Sequence, residues 1–391
     1  MKPTFRWEAT KELSTHLKHN ESVVLVGMKR VGISNFLRYF LKTDGFFFVP
    51  IDINNLVEAG LYPFWTLTLK RLVDQIIEDG QSDHLKALSK RLFAESIQLQ
   101  DVFFTFEAVQ MIVKELGIEG EHVVLVYMRF DRLSENLTHE LFANLQSLKD
   151  AGGDGVSFIF TAYRPLGEIA PTVFTTASLS VFARTMYLRP ASPADSLILL
   201  DSFVSRYEVD LRAKEKQQIL EFAGGHAQYL QLALMKYKAV GMDHLADDEE
   251  IQSLSEEIYQ SLTSEEQEQL AKNKCTSPYL FSSGLVSTTG KLFNSALAHY
   301  VAQKHPETVE STEFTRKEQL LFAYMRNNLG SVLERDSIID AVWPDQAELG
   351  VSDWAIDRLI SRLRVKLKKT ASPYTIHTVV TRGYKMVEDR F

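Results

Sequence analysis

A single cysteine, Cys275, among 391 residues rules out an intrachain disulfide and leaves no thiolate pair to seat a metal. One thiol fits a reducing, cytoplasmic setting. The ten histidines fall at no metal-ligand spacing, so no metal site is expected. No apolar run approaches the roughly 20 residues that span a bilayer, and no membrane partner is expected. Met1 to Glu12 is mixed and charged, unlike a signal peptide. There is no Gly-x-Ser-x-Gly elbow, no internal repeat and no low-complexity stretch. A surplus of positive charge is also missing. The formal net charge is −8, which excludes a chain that coats nucleic acid along its length. Any contact with nucleic acid has to be local.

What charge there is lies unevenly. From Ser311 to Phe391 there are 13 Lys/Arg and 11 Asp/Glu, so the acidic excess belongs wholly to the preceding chain. Within the tail, Arg358, Arg362, Arg364, Lys366, Lys368 and Lys369 crowd into one short segment.

Hydrophobic patterning divides the chain further. Val23–Val26, Phe46–Ile53, Val123–Tyr127 and Val156–Thr161 are short apolar runs that read as buried strands. Helical periodicity separates them, with residues 62–118 mostly helical. Strands alternating with helices predict a mostly parallel sheet covered on both faces, an α/β domain over residues 1–188. Residues 189–242 read as a helical lid, with segments 193–206, 212–223 and 227–239. Residues 243–305 form a smaller unit in which Gly284-Leu285-Val286 and Lys291-Leu292-Phe293 flank a tight turn. His305–Ser311 reads as a linker. Phe46-Phe47-Phe48 and Phe103-Phe104 are expected in the core.

The stretch Gly27-Met28-Lys29-Arg30-Val31-Gly32-Ile33-Ser34 has the spacing of a Walker A loop and lies between a strand and a helix, the context such a loop needs. Glycines let backbone N–H groups wrap a phosphate, and the helix N-terminus favours the anion. A lysine normally follows the second glycine. Here that position is Ile33, which cannot neutralise phosphate. Ser34 stands where a hydroxyl would help hold magnesium. Lys29 and Arg30 are the nearest substitutes, or else solvated loop charges.

Val123 to Leu133 resembles the Walker B strand of the AAA-like and STAND ATPases. Aligned on Phe130-Asp131-Arg132-Leu133, the family's magnesium-orienting aspartate and water-polarising glutamate become Met128 and Arg129. Asp131 is an alternative metal ligand only if the register shifts by three. Phe158–Arg164 resembles the family's sensor strand, with Thr161 at the polar position, and Gly224-Gly225-His226-Ala227 resembles its Gly-Gly-His-Pro lid turn. The resemblance covers roughly residues 1–305 and implies a P-loop NTPase-like body. Loss of the phosphate lysine and both acids removes the groups that stabilise the transition state. The expectation is a pseudo-ATPase with no catalytic residue and no required cofactor; nucleotide binding without hydrolysis stays open, because backbone amides alone can hold a phosphate.

The tail carries the most specific pattern. Thr315-Arg316-Lys317-Glu318 is a capping box opening a helix. Arg335–Val342 is a second helix, stopped by Trp343-Pro344. Ser352 caps a third, running to about Lys369, with Ile356, Leu359, Ile360, Leu363 and Leu367 on its buried face. A two-stranded wing follows from Tyr374 to Val387. Ile360-Ser361-Arg362-Leu363-Arg364-Val365-Lys366-Leu367, then Ile376–Val379 and Gly383-Tyr384-Lys385, resemble the OmpR/PhoB-type winged helix. Arg382-Gly383-Tyr384 is closer to its CadC/ToxR variants. The usual N-terminal strands of that fold are not evident in residues 306–314.

The resemblance implies that the third helix enters the major groove of double-stranded DNA. Arg358 and Arg362 are then the candidates for base edges. Ser361 shares that face. Arg364, Lys366 and Lys369 suit phosphate contacts or packing, and Arg382 and Lys385 lie on the wing. The expected architecture is a parallel-sheet P-loop NTPase-like domain with a helical lid, then winged-helix-type units at 243–305 and 306–391. The expected role is a cytoplasmic DNA-binding regulator, with a protein partner or self-association through the body. Two other readings remain: a nucleotide-switched STAND-type signalling NTPase, and a scaffold subunit of a defence or mobile-element complex.

Overall fold

The computed structural model describes residues 5–174, 182–305, 315–343, 353–369, 374–379 and 382–388. Two compact units divide at Tyr300 and Val301. The lid and the segment from residue 243 belong to the first.

That first unit is built on five parallel strands in the order β2-β3-β4-β1-β5. β1 (Ser22–Val26), β2 (Phe47–Asp52), β3 (Val123–Met128) and β4 (Val156–Ala162) are the four expected strands. Every residue of β1 and β4 is buried, as continuous apolar strands sandwiched between helices must be. The fifth strand, β5 (Ala183–Tyr187), was not anticipated. It pairs with β1, and Arg184 and Thr185 are exposed, so it lacks the unbroken apolar run that marks a strand buried on both faces.

α1 (Trp7–Lys18) precedes β1, and α2 (Ile33–Phe40) follows the glycine loop, burying Phe36, Leu37 and Phe40. Residues 62–118 resolve into α3 (Leu61–Glu78), α4 (Asp83–Leu99) and α5 (Val102–Ile118). Ser82 and Asp101 cap α4 and α5 by accepting the N–H groups of Leu85 and Phe104. α3 places Phe64 on Tyr127 of β3 at 5.0 Å, and Tyr127 stacks on Phe160 of β4 at 5.7 Å. Phe47 and Phe48 are in the core as expected. Phe103 is not: it sits on the outer face of α5, 69% exposed. α6 (His139–Gly152) packs on β4, and the short α7 (Leu166–Ile169) follows that strand.

The lid consists of α8 (Pro193–Tyr207), α9 (Ala213–Ala223) and α10 (Ala227–Val240). α11 (Glu249–Gln260), α12 (Ser264–Ala271) and α13 (Pro278–Ser282) come next. A hairpin closed by a bridge between Val286 and Leu292 leads into α14 (Ser295–Lys304).

In the second unit, α15 (Arg316–Asn327) begins with the expected capping box: Thr315 N–H donates to Glu318 Oε2 at 2.7 Å, and Glu318 N–H donates to Thr315 Oγ1. α16 (Arg335–Val342) and α17 (Asp353–Lys369) follow. Ser352, the linker after His305 and residues 306–314 lie outside the described residues. β7 (Tyr374–Val379) and β8 (Gly383–Glu388) form the wing hairpin, joined by an unanticipated short strand, β6 (Val332–Leu333), in the order β6-β8-β7. Gly383 is required at that junction. Its φ is +133°, and a Cβ there would lie 1.9 Å from the Leu333 carbonyl oxygen. Among the described residues no helix is long and apolar enough to cross a membrane.

Candidate functional site

The loop between β1 and α2 opens onto a cleft of about 500 Å³ in the first unit, lined by Lys29, Ile33, Ser34, Met128, Arg129 and Asp131, with Thr161 and lid residues also on its wall. Ile33 turns back toward Gly27: its Cδ1 lies 3.2 Å from where a Gly27 Cβ would be, and Val31 Cγ1 lies 2.9 Å from the same point. Gly27 is therefore needed for close packing whether or not a phosphate binds. Gly32 also has a packing reason. Its φ is +109°, and a Cβ would meet Ala227 of the lid at 3.1 Å. Ser34 is exposed in the first turn of α2, whose N–H groups receive no side-chain cap and so remain open to an anion.

The lid is fastened to this loop. His226 is fully buried; its Nε2–H donates to the Lys29 carbonyl at 2.8 Å, and its Nδ1 accepts the Tyr229 N–H. Behind the loop, the buried Arg6 guanidinium donates to the carbonyls of Arg189 and Val31. Burial brings Arg6 down to about 10, against the opposing pull of Asp195. Gly224 and Gly225 of the lid turn press on the Phe293 and Ala191 carbonyls so closely that a Cβ would come within 2.2 Å of either oxygen. Lys29 and Arg30, the conceivable stand-ins for the missing lysine, face Glu257 of α11 at 3.9 and 3.3 Å. All three side chains line the cleft, so these two charges are partnered there by a carboxylate.

Burial lowers the His226 imidazole to about 4, and Arg6 adds to that shift against the bond to Lys29. A histidine held neutral in the fold but free to protonate once unfolded makes stability rise with pH between the two pKa values. Acidification from about 6.5 to about 4 should thus cost the first unit about 3 kcal/mol. Denaturant titrations across that range check it, and His226→Asn should flatten the dependence.

At the end of β3, Arg129 takes a left-handed conformation, φ 59°. Its guanidinium binds both carboxylate oxygens of Asp52, Nε to Oδ1 at 3.0 Å, and its N–H donates to Thr161 Oγ1 at 2.8 Å. Asp52 escaped the sequence reading because it belongs to a different strand; register places it opposite Met128. Asp131 lines the cleft with a buried Oδ1 that has no hydrogen-bond partner, and burial raises its carboxyl above the usual range despite Lys29 and Arg129 nearby.

In the second unit, α17 buries Ile356, Leu359, Ile360, Leu363 and Leu367 and exposes Arg358, Ser361 and Arg362. The basic cluster is not one surface. Arg364, read as a phosphate contact or a packing residue, is turned onto the wing, donating to the Ile376 carbonyl at 2.9 Å and to Thr378 Oγ1 at 2.8 Å. Lys366 is likewise drawn inward and donates to Glu318 Oε2 at 2.7 Å, while Arg362 Nε stands 3.6 Å from Glu318 Oε1. Glu318 is buried. Burial raises its carboxyl, but Lys366 and Thr315 outweigh this and hold it below the usual range. Arg382 is exposed at the wing turn, and Lys385 sits on β8 opposite His377. The Lys369 side chain lies outside the described residues.

Residues 309–386 match the family described as transcriptional regulatory protein, C terminal. The second unit is an OmpR/PhoB-type winged helix. In this winged helix α17 is the third helix, and β7 and β8 are the wing that Arg364 fastens to it. The first unit has a P-loop NTPase-like α/β fold, set by its five-stranded parallel sheet and the strand-loop-helix at Gly27–Ser34. Among solved structures, the chain is similar to the Walker-type ATPase PABY2304 of Pyrococcus abyssi, with 15% identity and a TM-score of 0.47, covering 99% of this chain and 94% of that one. It is also similar to the Aeropyrum pernix ORC2 protein in ADPNP–ADP complexes, at 10% identity and a TM-score of 0.40, covering 98% and 90%. The Aeropyrum pernix ORC1 protein in complex with DNA matches at 13% identity and 0.37, covering 99% and 89%. No curated protein matches the chain.

Proposed function

We propose that this protein is a cytoplasmic DNA-binding transcription regulator whose winged helix reads duplex DNA and whose ATPase-like body does not hydrolyse ATP. The DNA half rests on the exposed cationic face of α17 within a fold of the regulatory type. The observation that carries the catalytic half is Arg129. A guanidinium clamped to Asp52 stands where the resembled family keeps the glutamate that polarises water, and it takes up the Thr161 hydroxyl through its own N–H. With Met128 and Ile33 replacing the other two groups, neither metal nor γ-phosphate is neutralised in the required way.

ATP turnover with magnesium, measured with and without duplex DNA, should stay at buffer background. Turnover of about one per second or more, lost in an Arg129→Ala variant, would refute the reading. The uncapped first turn of α2 and the volume of the cleft favour a second, compatible role: holding a nucleotide without cleaving it. Since one module spans few base pairs, useful specificity calls for a second copy or a protein partner bound through the body.

A further inference from the structure

The exposed face of α17 carries a residue with no part in the reading so far. Trp354, in the first turn, is 66% exposed, the largest apolar side chain left uncovered among the described residues of the winged helix. One turn on, Arg358 lies over its ring, with the guanidinium carbon 4.9 Å from the ring centroid. Residues four apart share a helix face, so Trp354, Arg358, Ser361, Arg362 and Val365 form one stripe along the helix. The stripe's two ends are apolar, Val365 being 54% exposed.

The other described cations on α17 are committed. Arg362 stands beside Glu318, Lys366 binds it, and Arg364 is bonded to the wing. Asp357, the acid adjacent to Arg358 in sequence, is occupied by Arg335 and Tyr384. Among the described residues the partner of Arg358 is the indole ring of Trp354. An aromatic face orients a guanidinium without consuming its N–H donors, so those donors stay free for a base edge.

We propose that Trp354 and Arg358 act as one reading unit, in which the indole holds the Arg358 fork toward guanine and itself covers the methyl group of a neighbouring thymine. The thymine C5-methyl is the one apolar group that bases present in the major groove, and Arg358 supplies the bidentate geometry that guanine O6 and N7 accept. Trp354 is thus a specificity-determining residue. The inference rests on α17 being a DNA-reading helix.

The test begins with the full chain selecting from a randomised duplex pool. The enriched duplex is then compared with the same duplex carrying deoxyuridine for thymine beside the preferred guanine. Wild type should lose about fourfold in affinity when the methyl is removed, the worth of one buried methyl group. Trp354→Ala should bind both duplexes equally and show a weaker guanine preference in a repeated selection. Trp354→Phe should keep part of both. All three proteins should melt together, because the side chain is largely exposed, and they should share one salt dependence because no phosphate contact changes.

A Trp354→Ala protein that still senses the methyl overturns the proposal. So does one that weakens equally on every sequence or changes its oligomeric state, which would make Trp354 a protein-binding residue. Failure of wild type to enrich any sequence refutes the underlying DNA reading before any variant is compared, and the two failures are thereby told apart.

Discussion

Arg358→Ala should lower affinity for the preferred duplex by about 5- to 150-fold, the range for one bidentate base contact, while changing affinity for unrelated duplex far less. The expectation follows from how the cations of α17 are held. Arg358 touches an aromatic ring, whereas Arg362 and Lys366 share Glu318 and Arg364 is fastened to the wing. Anisotropy titrations on a selected and a scrambled duplex, each at several salt concentrations, separate the effects. Arg382→Ala and Lys385→Ala, on the wing, should weaken both duplexes alike and flatten the salt slope by about one unit each. Equal loss on both duplexes for Arg358→Ala would reassign it to a phosphate contact.

Glu318→Gln should strongly destabilise the winged helix. The carboxylate closes the capping box of α15 and receives Lys366 from α17, so it joins two helices through a buried charge. Removing one member of such a pair leaves the other uncompensated, at a cost of about 3 kcal/mol. Amide hydrogen exchange over residues 315–369 should accelerate accordingly, with little change in the first unit. A Glu318→Leu/Lys366→Met double variant should recover most of the loss, since an apolar pair of similar volume needs no partner.

The pH dependence has a definite sign. Because the folded carboxyl lies below its ordinary value of 4.5, its contribution is complete above that pH and fades as pH falls through the lower folded value. Glu318→Gln should remove this acid sensitivity. The His226 effect in the first unit begins at higher pH, from about 6.5 down to about 4.

Much of the fold was legible from local pattern. Mostly apolar runs marked β1 to β4 because strands covered on both faces favour apolar residues at successive positions, the few buried hydroxyls of Ser22, Ser157 and Thr161 aside. The capping box at Thr315 and the apolar stripe from Ile356 to Leu367 marked the winged helix for equally local reasons. β5 was missed because its alternation is broken by exposed Arg184 and Thr185, and β6 because two residues show no period at all. Nothing in local pattern marks Trp354 as exposed; which side of α17 meets the core is decided by the surfaces packed against it.

The chain's own order of residues determined which chemical groups are absent: Ile33, Met128 and Arg129 are matters of identity, and no folding alters them. It also determined that cations concentrate in α17. What each charged group does was decided by tertiary structure, because charge acts across space and its partners come from distant segments. Asp52 meets Arg129 from a neighbouring strand, Glu257 of α11 pairs with Lys29 and with Arg30, the latter 227 residues away in sequence, and Glu318 of α15 claims Lys366 of α17. A sequence orders residues along one dimension, while Coulomb attraction and desolvation depend on separations that packing alone sets.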